Sequence, residues 1–286
     1  MPSHWLELSI KAGTEIQDPI ANFVVERGST GLIHTDQTMR AFFPSTASDA
    51  ALKRTVGVYL RRLRVNFPDC SLGRSRWRLM AEKDWHSAWR KYFRPQKIRG
   101  FTVTPPWIPV DENGCHVVVI EPAMAFGTGT HETTRCCLEF LDEFASSVNT
   151  PPQMALDVGT GSGILAIALA KVGVPQVLAL DNDPIALEAA EANLRLNGVV
   201  DAVTLSSTSL GRLRRRFPLV VANIILETLV ELAGPLTRSV RAGGTLILSG
   251  LLRTQVESVL GYFPVFTLEQ RKDRKEWSTL LLRKVS

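Results

Sequence analysis

The stretch Ala155-Leu-Asp157-Val-Gly159-Thr-Gly161-Ser-Gly163-Ile-Leu-Ala-Ile-Ala168 decides how this chain is read. An apolar run leads into Asp157, three glycines follow at alternate positions, and an unbroken apolar helix pattern leaves them. A strand, a tight turn and a helix N-terminus in that order form the phosphate- or nucleotide-binding corner of an open α/β sheet. Glycine suits such a turn because the backbone bends hard and a ligand approaches where a Cβ would stand. Taken alone the motif says little, since glycines after a strand are often only turn residues.

The spacing narrows the ligand. A dinucleotide fingerprint places glycine or alanine where Ile164 stands, and a P-loop needs a lysine that does not occur before Lys171. The remaining pattern, Asp-x-Gly-x-Gly-x-Gly, resembles that of S-adenosylmethionine-dependent methyltransferases. The next strand, Val177-Leu-Ala-Leu180, ends in Asp181, at the spacing where a carboxylate accepts the ribose hydroxyls of an adenosine. Asp183-Pro184 opens the following helix as N-cap and first-turn proline, which gives Asp183 a structural role.

Downstream the alternation stays in register. A helix over 184–197 ends at Gly198 and a strand follows at 202–206. Leu219-Val-Val-Ala222 is a strand running into Asn223, a helix spans Glu227 to about Val240, and Thr245-Leu-Ile-Leu248 is the next strand. A helix near Thr254–Tyr262 leads to strands at 265–269 and 278–282, paired antiparallel across a charged turn. The expected fold is α/β: a Rossmann-like, mostly parallel seven-stranded sheet closed by a late antiparallel strand.

Upstream, Met124-Ala-Phe-Gly127-Thr-Gly129-Thr-His131-Glu-Thr133-Thr134 precedes a helix running to about Ser147. Thr133 or Thr134 falls in its first turn, where free N–H groups and the helix dipole favour a carboxylate such as that of methionine. The alternative is that these threonines only cap the helix. His131 has no carboxylate or cysteine partner in sequence and reads as packing. Asp84 to Pro95 reads as a linker helix with Trp85, Trp89 and Phe93 on one face, and strands at 101–104 and 116–120 begin the second body of the protein.

Residues 1–80 follow the order β-α-β-β-α-β, which points to a small ferredoxin-like α+β domain. Its strands read at 5–10, 31–34, 39–43 and 76–80, and its helices at 18–27 and 48–67. The second helix carries Lys53, Arg54, Arg61, Arg62 and Arg64, ordinarily a solvated face and otherwise a contact for RNA or an acidic partner. The division is thus a domain at 1–80, a linker helix at 81–97 and a cofactor domain at 98–286.

In bulk, 286 residues with 45% hydrophobic and 21% charged residues suit a soluble globular protein, and a net charge of +5 is mildly basic. Cys70, Cys115, Cys136 and Cys137 have no metal-binding spacing, so no metal is expected, and a reducing cytoplasm fits them. No run reaches membrane-spanning length. A monomer is the expected state.

Several motifs together make the chain similar to one family, the methyltransferases of protein eleven of the large ribosomal subunit. They are Ala125–Thr134, Asp157–Ala168, Asp181-Asn-Asp-Pro184 and Val221-Ala-Asn-Ile224, with Trp85-x-x-x-Trp89 and Phe93-Arg-Pro95 before them. The resemblance implies cofactor contacts at Thr134, Gly159, Asp181 and Asn223, with Gly161 in the same turn, and S-adenosyl-L-methionine as cofactor. It further implies an N-terminal domain that recruits the ribosomal protein, which places the enzyme near ribosomal RNA. Two positions depart from the family pattern. Ala123 stands where glycine is usual, and Leu226 stands where a small residue is common and bears on the acceptor pocket.

Methyl transfer to an amine needs proximity and alignment more than protein chemistry, and the amine must first lose its proton. Asn223, at the end of its strand, is the candidate catalytic residue that orients the amine. Enzymes acting on planar amides or adenine follow this asparagine with Pro-Pro and an aromatic, whereas here stands Ile224-Ile-Leu226. That favours lysine or an N-terminus over a nucleobase. Two rival readings share part of this evidence. One is a methyltransferase of another protein or a small-molecule amine; the other is a cofactor-binding RNA or ribosome-assembly module, supported by the basic helix alone.

Overall fold

The computed structural model describes residues 4–35, 37–46, 48–67, 70–81, 94–111, 114–121, 131–147 and 149–285. The aromatic linker helix, Trp85 to Phe93, and the segment Phe126–Thr130 lie outside the described residues. The chain divides into two compact units, Met1–Phe93 and Arg94–Ser286.

The first unit is an antiparallel sheet of β1 (His4–Ala12), β2 (Gly31–Thr35), β3 (Thr38–Pro44) and β4 (Leu72–Ala81), in the spatial order β2-β3-β1-β4. Helices α1 (Thr14–Glu26) and α2 (Asp49–Asn66) follow β1 and β3. This is the ferredoxin-like arrangement. Leu6, Leu8 and Ile10 of β1 pack with Ile16, Ile20 and Val24 of α1 and with Val56, Leu60 and Leu63 of α2 in one core. The expected start of α1 at Asp18 is corrected to Thr14. Pro19 lies inside the helix, and burial of Ile16 in line with Ile20 and Val24 sets the start one turn earlier.

The second unit begins with a three-stranded sheet of β5 (Gln96–Ile98), β6 (Phe101–Thr104) and β7 (His116–Val119). Its main sheet has seven strands in the order β10-β9-β8-β11-β12-β14-β13. The strands are β8 (Ala155–Val158), β9 (Val177–Leu180), β10 (Val203–Ser206), β11 (Phe217–Asn223), β12 (Val240–Leu252), β13 (Phe266–Arg274) and β14 (Trp277–Lys284). The first five are parallel, while β14 runs antiparallel between β12 and β13. This is the class I methyltransferase fold.

Both faces of this sheet are covered, so its strands read as near-continuous apolar runs. On one face Phe140 and Leu141 of α3 (Glu132–Ser147), Ile167 of α4 (Ile164–Lys171) and Leu194 of α5 (Pro184–Asn197) share a core with Ala155, Val221 and Ile247. On the other, Leu229 of α6 (Leu226–Glu231), Leu236 of α7 (Ala233–Ser239) and Val259 of α8 (Val256–Gly261) pack with Leu156, Val220 and Leu248. The single helix expected over 227–240 is corrected to α6 and α7, which part at Leu232. Pro235 has no N–H to give and its ring excludes the carbonyl of Glu231, so one continuous helix cannot form. The strand expected at 245–248 extends in both directions, with a register shift against β11 between Phe217 and Leu219. Among the described residues no helix is long and apolar enough to cross a membrane.

Candidate active site

The carboxyl ends of the parallel strands bring the motifs to one edge of the main sheet. Gly159 and Thr160 donate their backbone N–H groups to the Leu180 carbonyl at 2.8 and 2.9 Å, which joins the glycine turn to the end of β9. Gly161 N–H then donates to Asp181 Oδ2 at 2.9 Å, and Asp183 N–H to Asp181 Oδ1 at 3.0 Å. Each carboxylate oxygen therefore holds one backbone donor and keeps a lone pair for another. Asp183 caps α5, accepting from Ile185 N–H at 2.9 Å.

Asp157, 1% exposed, accepts the Thr160 hydroxyl on Oδ2 at 2.6 Å. Its Oδ1 is buried with no hydrogen-bond partner among the described residues. Burial pushes this carboxyl up to about 7, against the pull of the Thr160 hydroxyl. Between the ordinary value of 3.8 and about 7, the folded protein holds a proton that the unfolded chain has released. Stability therefore falls as pH rises through that window and levels off above it. Thermal melts from pH 5 to pH 8 should accordingly slope less in Asp157→Asn than in the parent. Equal slopes would remove Asp157 as the source.

A second cluster joins α3 to β11 and β12. Asn223 Nδ2 donates to Thr134 Oγ1 at 3.4 Å, while Asn223 Oδ1 is buried and unpartnered among the described residues. Thr133 and Thr134 are both buried in the first turn of α3. Ser249 Oγ reaches the Thr133 carbonyl at 3.4 Å and shares a hydrogen bond with Thr279 Oγ1 at 2.6 Å. His131 ties down the start of the same helix. Its Nδ1 lies 3.3 Å from the Thr133 N–H and 2.7 Å from the Thr133 hydroxyl, and its ring meets Trp277 edge-on.

Ile224 connects the two clusters. A Cβ on Gly159, where φ is +73°, would run into Ile224 Cγ2. A Cβ on Gly250, where φ is +85°, would run into the Ile224 carbonyl oxygen and come within 2.7 Å of its carbonyl carbon. The close approach anticipated at Gly159 is thus made by the Ile224 side chain. The residue after Asn223 is gripped between two positions that tolerate no side chain.

The structure places the expected site residues in these two clusters: Gly159, Gly161 and Asp181 in one, Thr134 and Asn223 in the other. Sequence reasoning gave no role to Thr160, Ser249, Gly250, Thr279 or Asp157, and used Ile224 only as a pointer to the acceptor. Asp157 and Thr160 stand inside the decisive stretch, while a glycine two residues past the strand expected at 245–248 was the available signal for Gly250.

The whole chain has relatives. A family model described as ribosomal protein L11 methyltransferase (PrmA) matches residues 4–285. A ribosomal protein L11 methyltransferase of Geobacter sp. (strain M21) is 35% identical over 304 residues, covering 99% of this chain and 99% of that protein. One of Geobacter sulfurreducens is 36% identical over 303 residues with the same coverage of both. Among solved structures, a ribosomal protein L11 methylase of Lactobacillus delbrueckii subsp. bulgaricus is 30% identical with a TM-score of 0.61, covering 68% of this chain and 100% of that one. A model match across both units, with relatives aligned over 99% of both chains, shows that the chain belongs to the ribosomal protein L11 methyltransferase family.

Proposed function

We propose that the chain methylates amines of ribosomal protein L11, lysine side chains or the N-terminus, and that its first unit recruits this substrate. The observation that carries the reading is the match over residues 4–285, which takes in the first unit as well as the catalytic fold. S-adenosylmethionine, the methyl donor of this family and fold, brings an activated methyl group on a sulfonium. The residues present fit it. Asp157 Oδ1, buried with no donor among the described residues, suits the cofactor's ammonium group. The spare lone pairs of Asp181 suit ribose hydroxyls.

The chain's own task is alignment and proton handling. Gly161 and Asp183 lock the Asp181 carboxylate in one orientation, and Thr134 turns the Asn223 amide so that its carbonyl oxygen stays available. That oxygen accepts an N–H of the incoming amine and so directs the nitrogen lone pair. Cys137 is no rival nucleophile, because burial raises its thiol far above the range in which a thiolate forms. Such a reaction belongs in the cytoplasm, where ribosomal proteins are made.

The direct test is mass spectrometry of a ribosomal protein mixture incubated with enzyme and labelled cofactor. Label on protein L11 is expected, and label confined to other proteins or small amines would overturn the substrate assignment. Asn223 has its own test. Asn223→Ala should stay slow, by about 10²-fold, even at saturating cofactor if the amide aligns the acceptor. Full recovery at saturation would reduce it to a cofactor contact.

A further inference from the structure

The net charge of the chain is unevenly placed. Residues 1–93 carry 14 lysines and arginines against 9 acidic residues, whereas residues 94–286 carry 19 of each, so the +5 belongs wholly to the first unit. Among the described residues of that unit, most basic side chains make no ion pair. Between described residues its one ion pair is Arg40 with Glu7, at 3.1 Å.

The fold gathers the remainder along one edge. β4 is an outer strand, and Arg74, Arg76 and Arg78 alternate along it, all exposed and all on one face. The register sets Arg76 opposite Ser9 and Arg78 opposite Glu7, on the face of β1 that also carries exposed Lys11. At the start of the strand, Arg64 of α2 donates to the Gly73 carbonyl at 2.7 Å. That bond ties the last turns of α2, with exposed Arg61 and Arg62, to the same edge. The basic belt therefore runs from the end of α2 onto β4.

We propose that this belt binds the sugar–phosphate backbone of a single-stranded stretch of RNA, with Arg74, Arg76 and Arg78 on successive phosphates. Same-face neighbours on a strand lie about 6.6–6.8 Å apart, close to the spacing of neighbouring phosphates in an extended strand. The belt is almost all arginine, whose planar guanidinium meets phosphate oxygens in pairs. The choice of RNA over protein rests on the function proposed above. A methyl-accepting amine is cationic until it loses its proton, and a surface of net positive charge does not draw in an amine-rich segment. It draws in the polyanion that accompanies a ribosomal protein. Charged residues also guard an edge strand against pairing with another copy, and this is the competing explanation that the test must separate.

The experiment is fluorescence anisotropy of the full-length protein with a labelled, unstructured oligoribonucleotide across a range of salt, next to a labelled polyglutamate peptide. Each phosphate contact contributes about −0.7 to the slope of log affinity against log salt. The triple variant Arg74→Gln/Arg76→Gln/Arg78→Gln should therefore flatten the slope by about 2 and bind RNA at least about tenfold more weakly near 0.1 M salt. If the triple variant fails to fold by circular dichroism, the single variant Arg76→Gln should flatten the slope by about 0.7. Three results would overturn the proposal: no binding by the parent at low salt, an unchanged slope in a folded variant, or tighter binding to polyglutamate than to RNA. Aggregation of the variant with RNA affinity intact would assign the arginines to edge protection instead. None of these readings involves methylation, so a failure here leaves the substrate assignment standing, and a failure there leaves this one.

Discussion

Gly159→Ala is expected to cut the methylation rate by about two orders of magnitude and to recover much of it when Ile224→Ala is added, whereas Gly250→Ala is expected to stay inactive in both backgrounds. The difference lies in which atoms of Ile224 are met. At position 159 the new Cβ meets only the Cγ2 methyl group, which the alanine at 224 removes. At position 250 it meets the carbonyl oxygen and carbon of Ile224, which no side-chain change displaces. Both substitutions also force a left-handed backbone on a residue with a Cβ, at about 1–2 kcal/mol each, so rescue at 159 stays incomplete. Displacing Ile224 displaces Asn223 beside it, and a shift of about 1 Å in such a group costs about 10²-fold in rate. Rates of the three single and two double variants, measured at saturating cofactor, check the pattern. Rescue of both glycine variants, or of neither, would refute the clamp.

The second large effect concerns cofactor affinity. Asp181→Ala should weaken cofactor binding by at least about 10²-fold, since hydrogen bonds to a charged group contribute about 1.5–3 kcal/mol each and two are lost. Loss of the two backbone anchors adds to this, because Gly161 N–H and Asp183 N–H are left without their acceptor. Asp181→Asn separates the contributions. It keeps one acceptor oxygen and turns an N–H against one of the two backbone donors, so it should fall between the parent and Asp181→Ala. Calorimetric titration with the cofactor decides the matter. Unchanged affinity in Asp181→Ala would withdraw the ribose assignment.

What was legible in the sequence is what short-range chemistry dictates. The corner at 155–168, the Asp183-Pro184 helix start and the αL stop at Gly198 each depend on a few neighbouring residues, and each stands as read. The start of α1 was misplaced because the burial of Ile16 is a tertiary fact that no local pattern shows. The break between α6 and α7 was visible in Pro235 and was outweighed by the surrounding apolar pattern. Long-range partners left no mark. Thr134 and Asn223 are 89 residues apart, and Ser249 meets Thr133 across 116. Only the strand order 10-9-8-11-12-14-13 makes neighbours of Asn223 and Ser249. A strand's own sequence names its faces and is silent about which strand lies beside it.

The antiparallel insertion of β14 also bears on when the enzyme can act. β14 is the last strand in chain order, yet it pairs with β12 on one side and β13 on the other, and it supplies the Thr279 hydroxyl that holds Ser249. A growing chain that has completed every motif of the site still lacks this strand, and until it arrives β12 presents an open edge. Folding during synthesis proceeds from the N-terminus, so the first unit is complete while the catalytic sheet is still unfinished. On the recruitment proposed above, recognition precedes competence in the life of each new molecule: a half-made enzyme would hold its substrate before it could modify it.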